Sequence, residues 1–353
     1  MSPKKPVRVL VVDDSPLTRS ILAQGLGMDP AIEVVGTAGD AFEARDRIVQ
    51  LKPEVMTLDL EMPRMSGLEF LRRLMPQYPI PVVMVSSLTE RGQKTTVECL
   101  GAGAVDFVAK SGSSAGELNG MLAELRTKVK IASTANVSHW KHARFSGAGG
   151  ARLAGRGASF PGRIVAIGAS TGGTEAIREV LERLPGNVPG ILVVQHMPPG
   201  FTAMFAERMN QLCAMAVKEA EDGDAVAPGR VLIGAGGKHL RLKKRGADYY
   251  VEVRPGELVN GHCPSVGELF DSVAETAGAN AVGVMLTGMG ADGADAMVRL
   301  RRTGARTLAQ NEETSVVFGM PREAYVRGGA ERLVPLGDIA GEVLNLLAKK
   351  ATT

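Results

Sequence analysis

The chain has 353 residues, 44% of them hydrophobic and 22% charged, a balance that suits folded domains with buried cores and excludes wholesale disorder. That length accommodates two domains. A net charge of +3 is too mild to point to nucleic acid, so no nucleic-acid partner is expected.

Three widely spaced cysteines, Cys99, Cys213 and Cys263, fit neither a disulfide framework nor a CxxC metal site, so reduced thiols and a cytoplasmic location are expected. The apolar run after Lys4-Lys5 breaks at Asp13-Asp14, which argues against a signal peptide. No segment approaches the roughly 20 apolar residues needed to cross a bilayer, so no direct membrane insertion is expected.

Residues 1–126 alternate apolar runs of strand length with amphipathic stretches. The predicted strands are Val7–Val12, Ile32–Thr37, Val55–Leu58, Val82–Ser86 and Ala104–Val108; the predicted helices include Ser15–Leu26, Asp40–Leu51, Gly67–Met75 and Gln93–Leu100. Such alternation predicts a five-stranded parallel sheet covered on both faces. Residues 127–161 lose the pattern and read as a flexible linker, with a helix possible through Met121–Ile131. Within it, His139-Trp140-Lys141-His142 reads as an exposed cluster, incidental or a docking element.

From residue 162 to 353 the alternation resumes. Strands are predicted at Ile164–Ile167, Gly190–Gln195, Arg230–Ile233, Ala281–Leu286 and Arg306–Ala309, and helices at Thr174–Leu184, Phe201–Leu212, Ser265–Ala277, Gly290–Arg302 and Ile339–Lys349. Strict alternation through His239–Val253 around Lys244-Arg245-Gly246 predicts an antiparallel hairpin. The expected fold class is therefore α/β: two doubly wound domains, the first flavodoxin-like, the second mainly parallel with one hairpin.

In doubly wound sheets, ligands gather beyond the C-terminal ends of the strands. Asp13, Asp14, Asp59, Ser86 and Lys110 all stand there. Converging carboxylates repel unless a hard divalent cation joins them, and Mg2+ suits carboxylate oxygen. A carboxylate can then attack phosphorus, with Lys110 neutralising the incoming group and the Ser86 hydroxyl donating to its oxygens. A single acidic residue after a strand is more often a helix cap or a turn residue. Together with Asp59-Leu60-Glu61-Met62-Pro63 and Gly67, these residues resemble the receiver domain of two-component response regulators. That resemblance implies Asp59 as phosphoacceptor and Asp14, Asp59 and the backbone carbonyl of Glu61, beside Asp13, around Mg2+. Phe107 matches the aromatic that reorients on activation, or is a plain core residue.

In the second domain, Ile164–Ile167 runs into Gly168-Ala169-Ser170-Thr171-Gly172-Gly173. A sharp strand-to-helix turn exposes the serine hydroxyl, and the helix N-terminus offers free N–H groups to an oxyanion. The same glycines also suit a phosphate-binding loop. A serine needs a base. His196 follows the strand Gly190–Gln195 directly, and Asp292 follows Ala281–Leu286, where it is free to orient an imidazole or simply cap a helix.

The order Ser170, His196, Asp292 departs from the serine–acid–histidine order of α/β-hydrolases. Read with Gln195-His196-Met197, His262-Cys263-Pro264-Ser265-Val266, Leu286–Gly293, Gln310-Asn311-Glu312 and Phe318-Gly319-Met320-Pro321, it resembles CheB-type protein-glutamate methylesterases. The resemblance implies Ser170 as nucleophile, His196 as general base, Asp292 as its orienter, the Met289 N–H as an oxyanion donor and Thr171 close by. It implies hydrolysis of glutamate γ-methyl esters on chemoreceptors, deamidation of receptor glutamines, and no cofactor for either step. A histidine kinase of the chemotaxis system would be the phosphodonor, and the unphosphorylated receiver would block the hydrolase cleft. Cys263 stands where that family's H-R-P-S-V segment has arginine.

Three other readings remain at this point: a DNA-binding output half, which the lack of a helix-turn-helix disfavours; a general small-ester hydrolase; and a catalytically idle adaptor.

Overall fold

Serine, threonine and aspartate residues set where the first domain's helices begin. In the computed structural model, which describes residues 5–87, 89–110, 114–141, 153 and 160–348, the Ser15 hydroxyl accepts from Thr18 N ahead of Pro16. Asp40 accepts from Phe42 N and Glu43 N, Ser66 from Glu69 N, and Ser114 forms a reciprocal capping box with Glu117. The resulting order is β1 (Val7–Val12), α1 (Pro16–Gly27), β2 (Ile32–Ala38), α2 (Ala41–Leu51), β3 (Val55–Asp59), α3 (Gly67–Leu74), β4 (Val82–Ser86), α4 (Glu90–Leu100), β5 (Asp106–Ala109) and α5 (Ala115–Ala132). The strands form one parallel sheet in the order β2-β1-β3-β4-β5. The switch in strand order lies between β1 and β3, so the ends of those strands open a crevice for a ligand.

The linker begins later than residue 127. Helix α5 continues to Ala132, with Leu125, Val129 and Ala132 fully buried, and a 3-10 turn follows at Ser138–Trp140. Trp140 is buried rather than exposed: its ring lies against Gly103, beside Met75. Gly103 has φ +106°, and a Cβ there would press on Met75 at 3.1 Å and the Trp140 ring at 3.2 Å. The sole tryptophan is thus a packing residue of the first of two compact units, Met1–Ser146 and Gly147–Thr353. His142 and, Leu153 apart, the glycine- and serine-rich part of the expected linker from 143 to 159 lie outside the described residues.

The second unit comprises β6 (Ile164–Ala169), α6 (Gly173–Arg183), β7 (Gly190–Gln195), α7 (Phe201–Leu212), β8 (Ala216–Glu219), β9 (Arg230–Ile233), β10 (His239–Arg245), β11 (Asp248–Arg254), α8 (Val266–Thr276), β12 (Ala281–Met285), α9 (Ala294–Arg302), β13 (Arg306–Gln310), α10 (Met320–Val326), β14 (Arg332–Val334) and α11 (Leu336–Ala348). Its seven-stranded sheet is parallel throughout, in the order β14-β13-β12-β6-β7-β9-β8. Ile164 and Ala166 face a core shared with α8, α9, α10 and the β10–β11 hairpin; on the other side α6 packs against both α7 and α11.

The hairpin forms as expected, but its turn is Gly246-Ala247, because Arg245 pairs with Asp248. Strands β8 and β14 and helix α10 are additions to the expected set. Among the described residues no helix is long and apolar enough to cross a membrane.

Candidate active site

The register of three strands assembles the hydrolytic site. Ala169 on β6 pairs with Gln195 on β7, so the next residues, Ser170 and His196, leave the sheet side by side. His196 N donates to Ala169 O at 3.2 Å. On the other flank, Leu286 N donates to Gly168 O at 2.8 Å and Ser170 N to Thr287 O at 3.0 Å. Ser170 therefore stands at the switch point between β6 and β12, where chemistry is expected in this architecture. Gly288 must be glycine here, since a Cβ would lie 2.8 Å from Ser170 Cβ and 2.4 Å from the Met320 sulfur. Behind the serine, Gln195 Nε2 donates to Ser170 O at 2.9 Å.

His196 Nε2 donates to Asp292 Oδ2 at 2.9 Å, which leaves Nδ1 as the ring's lone-pair nitrogen. That Nδ1 is buried and has no hydrogen-bond partner. Asp292 is itself buried. Its Oδ2 also accepts from Val266 N at 2.7 Å, and its Oδ1 from Ser265 Oγ at 2.8 Å and Asn260 Nδ2 at 3.0 Å. Burial pushes this carboxyl up, but the hydrogen bonds and charge from His196, with Asn260 and Ser265, outweigh it and hold Asp292 far below the usual carboxylate range.

One peptide is turned outward beside the serine. Gly288 O accepts from Gly319 N at 3.0 Å and Met320 N at 2.7 Å. In a trans peptide the following N–H lies opposite the carbonyl, so the Met289 N–H points away from that pair; among the described residues it has no acceptor. Thr171 is buried, and its carbonyl accepts from Thr287 Oγ1 at 3.0 Å.

In the first unit, Asp13, Asp14 and Asp59 bring carboxylate oxygens within 4.8 Å of one another. Lys110 Nζ reaches Asp13 at 3.0 Å and Asp59 at 2.8 Å. Three carboxylates against one ammonium leave a formal charge of −2, and the donors are hard oxygens, so the cluster fits a divalent cation such as Mg2+. Burial pushes the Asp59 carboxyl up; Lys110 opposes that and Asp13 adds to it. Glu61 is exposed just past β3. The Ser86 hydroxyl is not turned to the acids: Thr96 Oγ1 donates to it at 2.6 Å, and it donates to Ser87 O at 3.2 Å. Phe107 is buried, with Lys128 Nζ 5.0 Å from its ring centroid.

Both halves of the chain match known families. A family described as CheB methylesterase matches residues 165–343, and one described as response regulator receiver domain matches residues 9–122. A protein-glutamate methylesterase/protein-glutamine glutaminase of Syntrophotalea carbinolica is 58% identical over 351 residues, covering 99% of each chain. The chain belongs to the CheB methylesterase family. A second relative of that name, from Syntrophomonas wolfei, is 51% identical over 344 residues, covering 97% of this chain and 98% of its own. The crystal structure of the Thermotoga maritima CheB methylesterase catalytic domain is 38% identical with a TM-score of 0.51, covering 52% of this chain and 98% of that one.

Within this CheB-family frame, several residues around the site were not assigned a role from sequence. Ser265 and Asn260 grip Asp292, and the His262 ring stacks on His196 with centroids 3.7 Å apart and planes 10° apart. Asn260-Gly261 carried a signal, since that dipeptide marks a tight turn, but nothing in the linear sequence says that the turn meets Asp292. Cys263 is half-buried; burial pushes its thiol up, and its carbonyl accepts from Gly237 N at 3.0 Å.

Proposed function

We propose that the chain is a phosphorylation-activated protein-glutamate methylesterase and protein-glutamine deamidase acting on chemoreceptors. The observation that carries the hydrolytic assignment is the His196 ring. Asp292 holds Nε2, and Nδ1 is left as a buried, unpartnered lone pair on the strand rim beside Ser170. As the Ser170 hydroxyl attacks the ester carbonyl, Nδ1 takes its proton and Asp292 stabilises the imidazolium. The oxyanion forms beside the Met289 N–H. Collapse of the adduct breaks the ester C–O bond, and His196 returns the proton to the departing methoxide, releasing methanol. Water then attacks the acyl-serine with His196 again as base, and glutamate and free Ser170 result. With a glutamine substrate the steps are the same and ammonia leaves.

In the receiver half, Asp59 is the phosphoacceptor and a histidine kinase the donor. Asp13, Asp14, Asp59 and the Glu61 carbonyl would hold Mg2+, which when bound offsets the charge of the incoming phosphoryl group. Lys110 supplies the second positive charge from 2.8 Å. Ser86 gives up its bond from Thr96 to meet a phosphoryl oxygen, and Phe107 shifts with it.

The test is methanol release from methylated chemoreceptor membranes, with and without acetyl phosphate and Mg2+, beside Ser170→Ala. Release that rises with the phosphodonor and vanishes in the variant is expected. Release that survives Ser170→Ala sinks the catalytic assignment.

A further inference from the structure

The turn between the hairpin and α8 does more than connect them. Val259 and His262 exchange both backbone hydrogen bonds, each 3.0 Å, across Asn260-Gly261. Both central residues have positive φ, 52° and 83°, the combination a two-residue turn of this kind demands and that asparagine followed by glycine meets most readily. The turn is therefore set by its own sequence, and it presents two side chains to one place. Asn260 Nδ2 donates to Asp292 Oδ1 at 3.0 Å. The His262 ring lies flat on His196, 3.7 Å between centroids.

The second contact answers a mechanical question. A ring tethered only through Nε2 is fixed along one line and free to tilt about it. Tilting carries Nδ1 off the serine, and a misplacement of about 1 Å costs on the order of 100-fold in rate. A flat partner at stacking distance removes that freedom.

We infer that the Val259–His262 turn is a clamp on the catalytic base, with His262 fixing the plane of His196 through its ring face and Asn260 fixing the carboxylate that holds it. Both are positioning residues; neither needs to touch substrate. The turn is itself pinned from behind. His239 Nδ1 accepts from Ser265 N at 3.3 Å and its Nε2 donates to Glu257 O at 2.8 Å, which ties both flanks of the turn to β10.

This inference rests on the assignment of Ser170 as nucleophile with His196 as its base, and the experiment separates the two. We would measure kcat and KM for methanol release from methylated receptor membranes, and separately the rate at which a small organofluorophosphate inactivates Ser170, for wild type, Ser170→Ala, His262→Ala, His262→Phe and Asn260→Asp.

His262→Ala is expected to lower kcat and the inactivation rate together by about 10- to 100-fold with little change in KM. His262→Phe keeps a flat ring and is expected to recover most of that loss. Asn260→Asp tolerates the backbone but sets a carboxylate against Asp292, and should slow both rates as well. The clamp is overturned if His262→Ala raises KM alone with normal inactivation, which would make His262 a receptor contact, or if His262→Phe is as slow as His262→Ala, which would mean its ring nitrogens matter. A Ser170→Ala enzyme that still releases methanol would instead remove the underlying assignment.

Discussion

At the residue scale, Asp292 is the most heavily engaged side chain of the hydrolytic site. It accepts from His196, Asn260, Ser265 and the Val266 backbone, and these interactions overcome its burial to keep it ionised. A carboxyl depressed on folding contributes stability that is present above its unfolded pKa, about 3.9, and is lost only as pH falls through the lower folded value. Asp292 therefore stays charged throughout any assay range near neutrality. Ser265 is the residue at which this can be probed, because its hydroxyl both donates to Asp292 and caps α8, accepting from Gly267 N at 3.0 Å and Glu268 N at 3.4 Å. Ser265→Ala should cost about 1–2 kcal/mol of stability, read as a lower urea midpoint for the catalytic half. Its acid unfolding should also begin at a higher pH than in wild type, since Asp292 has lost a donor to its charged form. An unshifted acid edge would mean that Ser265 does not hold the carboxylate in solution.

At the scale of elements, what the sequence disclosed followed from apolar runs. Asp59 ends β3, Ser170 and His196 directly follow β6 and β7, and Asp292 lies in the loop after β12, so apolar runs that stop at polar residues mark one rim of each sheet. β8 and β14 span four and three residues, too short to display a period of two. Ser265, Asn260 and His262 sit in the stretch between hairpin and helix, and only tertiary contacts bring the first two to Asp292 and the third to His196. The stretch after the receiver's last predicted strand hides its packing for a similar reason. Val129, Ala132, Val137 and Trp140 are spaced through polar residues, yet all are buried.

Trp140 makes this packing measurable. As the only tryptophan of the chain, packed against Gly103, it makes indole fluorescence a reporter of the first unit alone. In urea, the indole transition should coincide with loss of receiver structure and be unmoved by Ser265→Ala. Trp140→Phe should lower receiver stability by about 1–3 kcal/mol through incomplete filling of the site. An indole already solvent-exposed in emission before any denaturant would contradict the packing.

At the scale of the molecule, two sites of opposite electrical character share one chain. The hydrolytic site holds one buried carboxylate, matched by five donors. The receiver site carries a formal −2 with a single lysine set among three acids, so its chemistry depends on an added divalent ion. Covalent linkage holds each at high effective concentration to the other, and the difference in their needs lets them be separated in one enzyme. EDTA should abolish stimulation by acetyl phosphate and leave basal methanol release intact.

Asp59→Asn should do the same, for a different reason. The amide keeps the size of the side chain but cannot attack phosphorus, and Lys110 keeps Asp13 as a partner at 3.0 Å. The two treatments together discriminate sharply. If EDTA suppresses stimulation and Asp59→Asn does not, a metal-dependent step exists but its acceptor is another side chain. If Asp59→Asn raises basal release to the stimulated level, the carboxylate itself restrains the enzyme, and phosphorylation acts by removing its charge from Lys110 rather than by adding a phosphoryl group for Ser86 to bind.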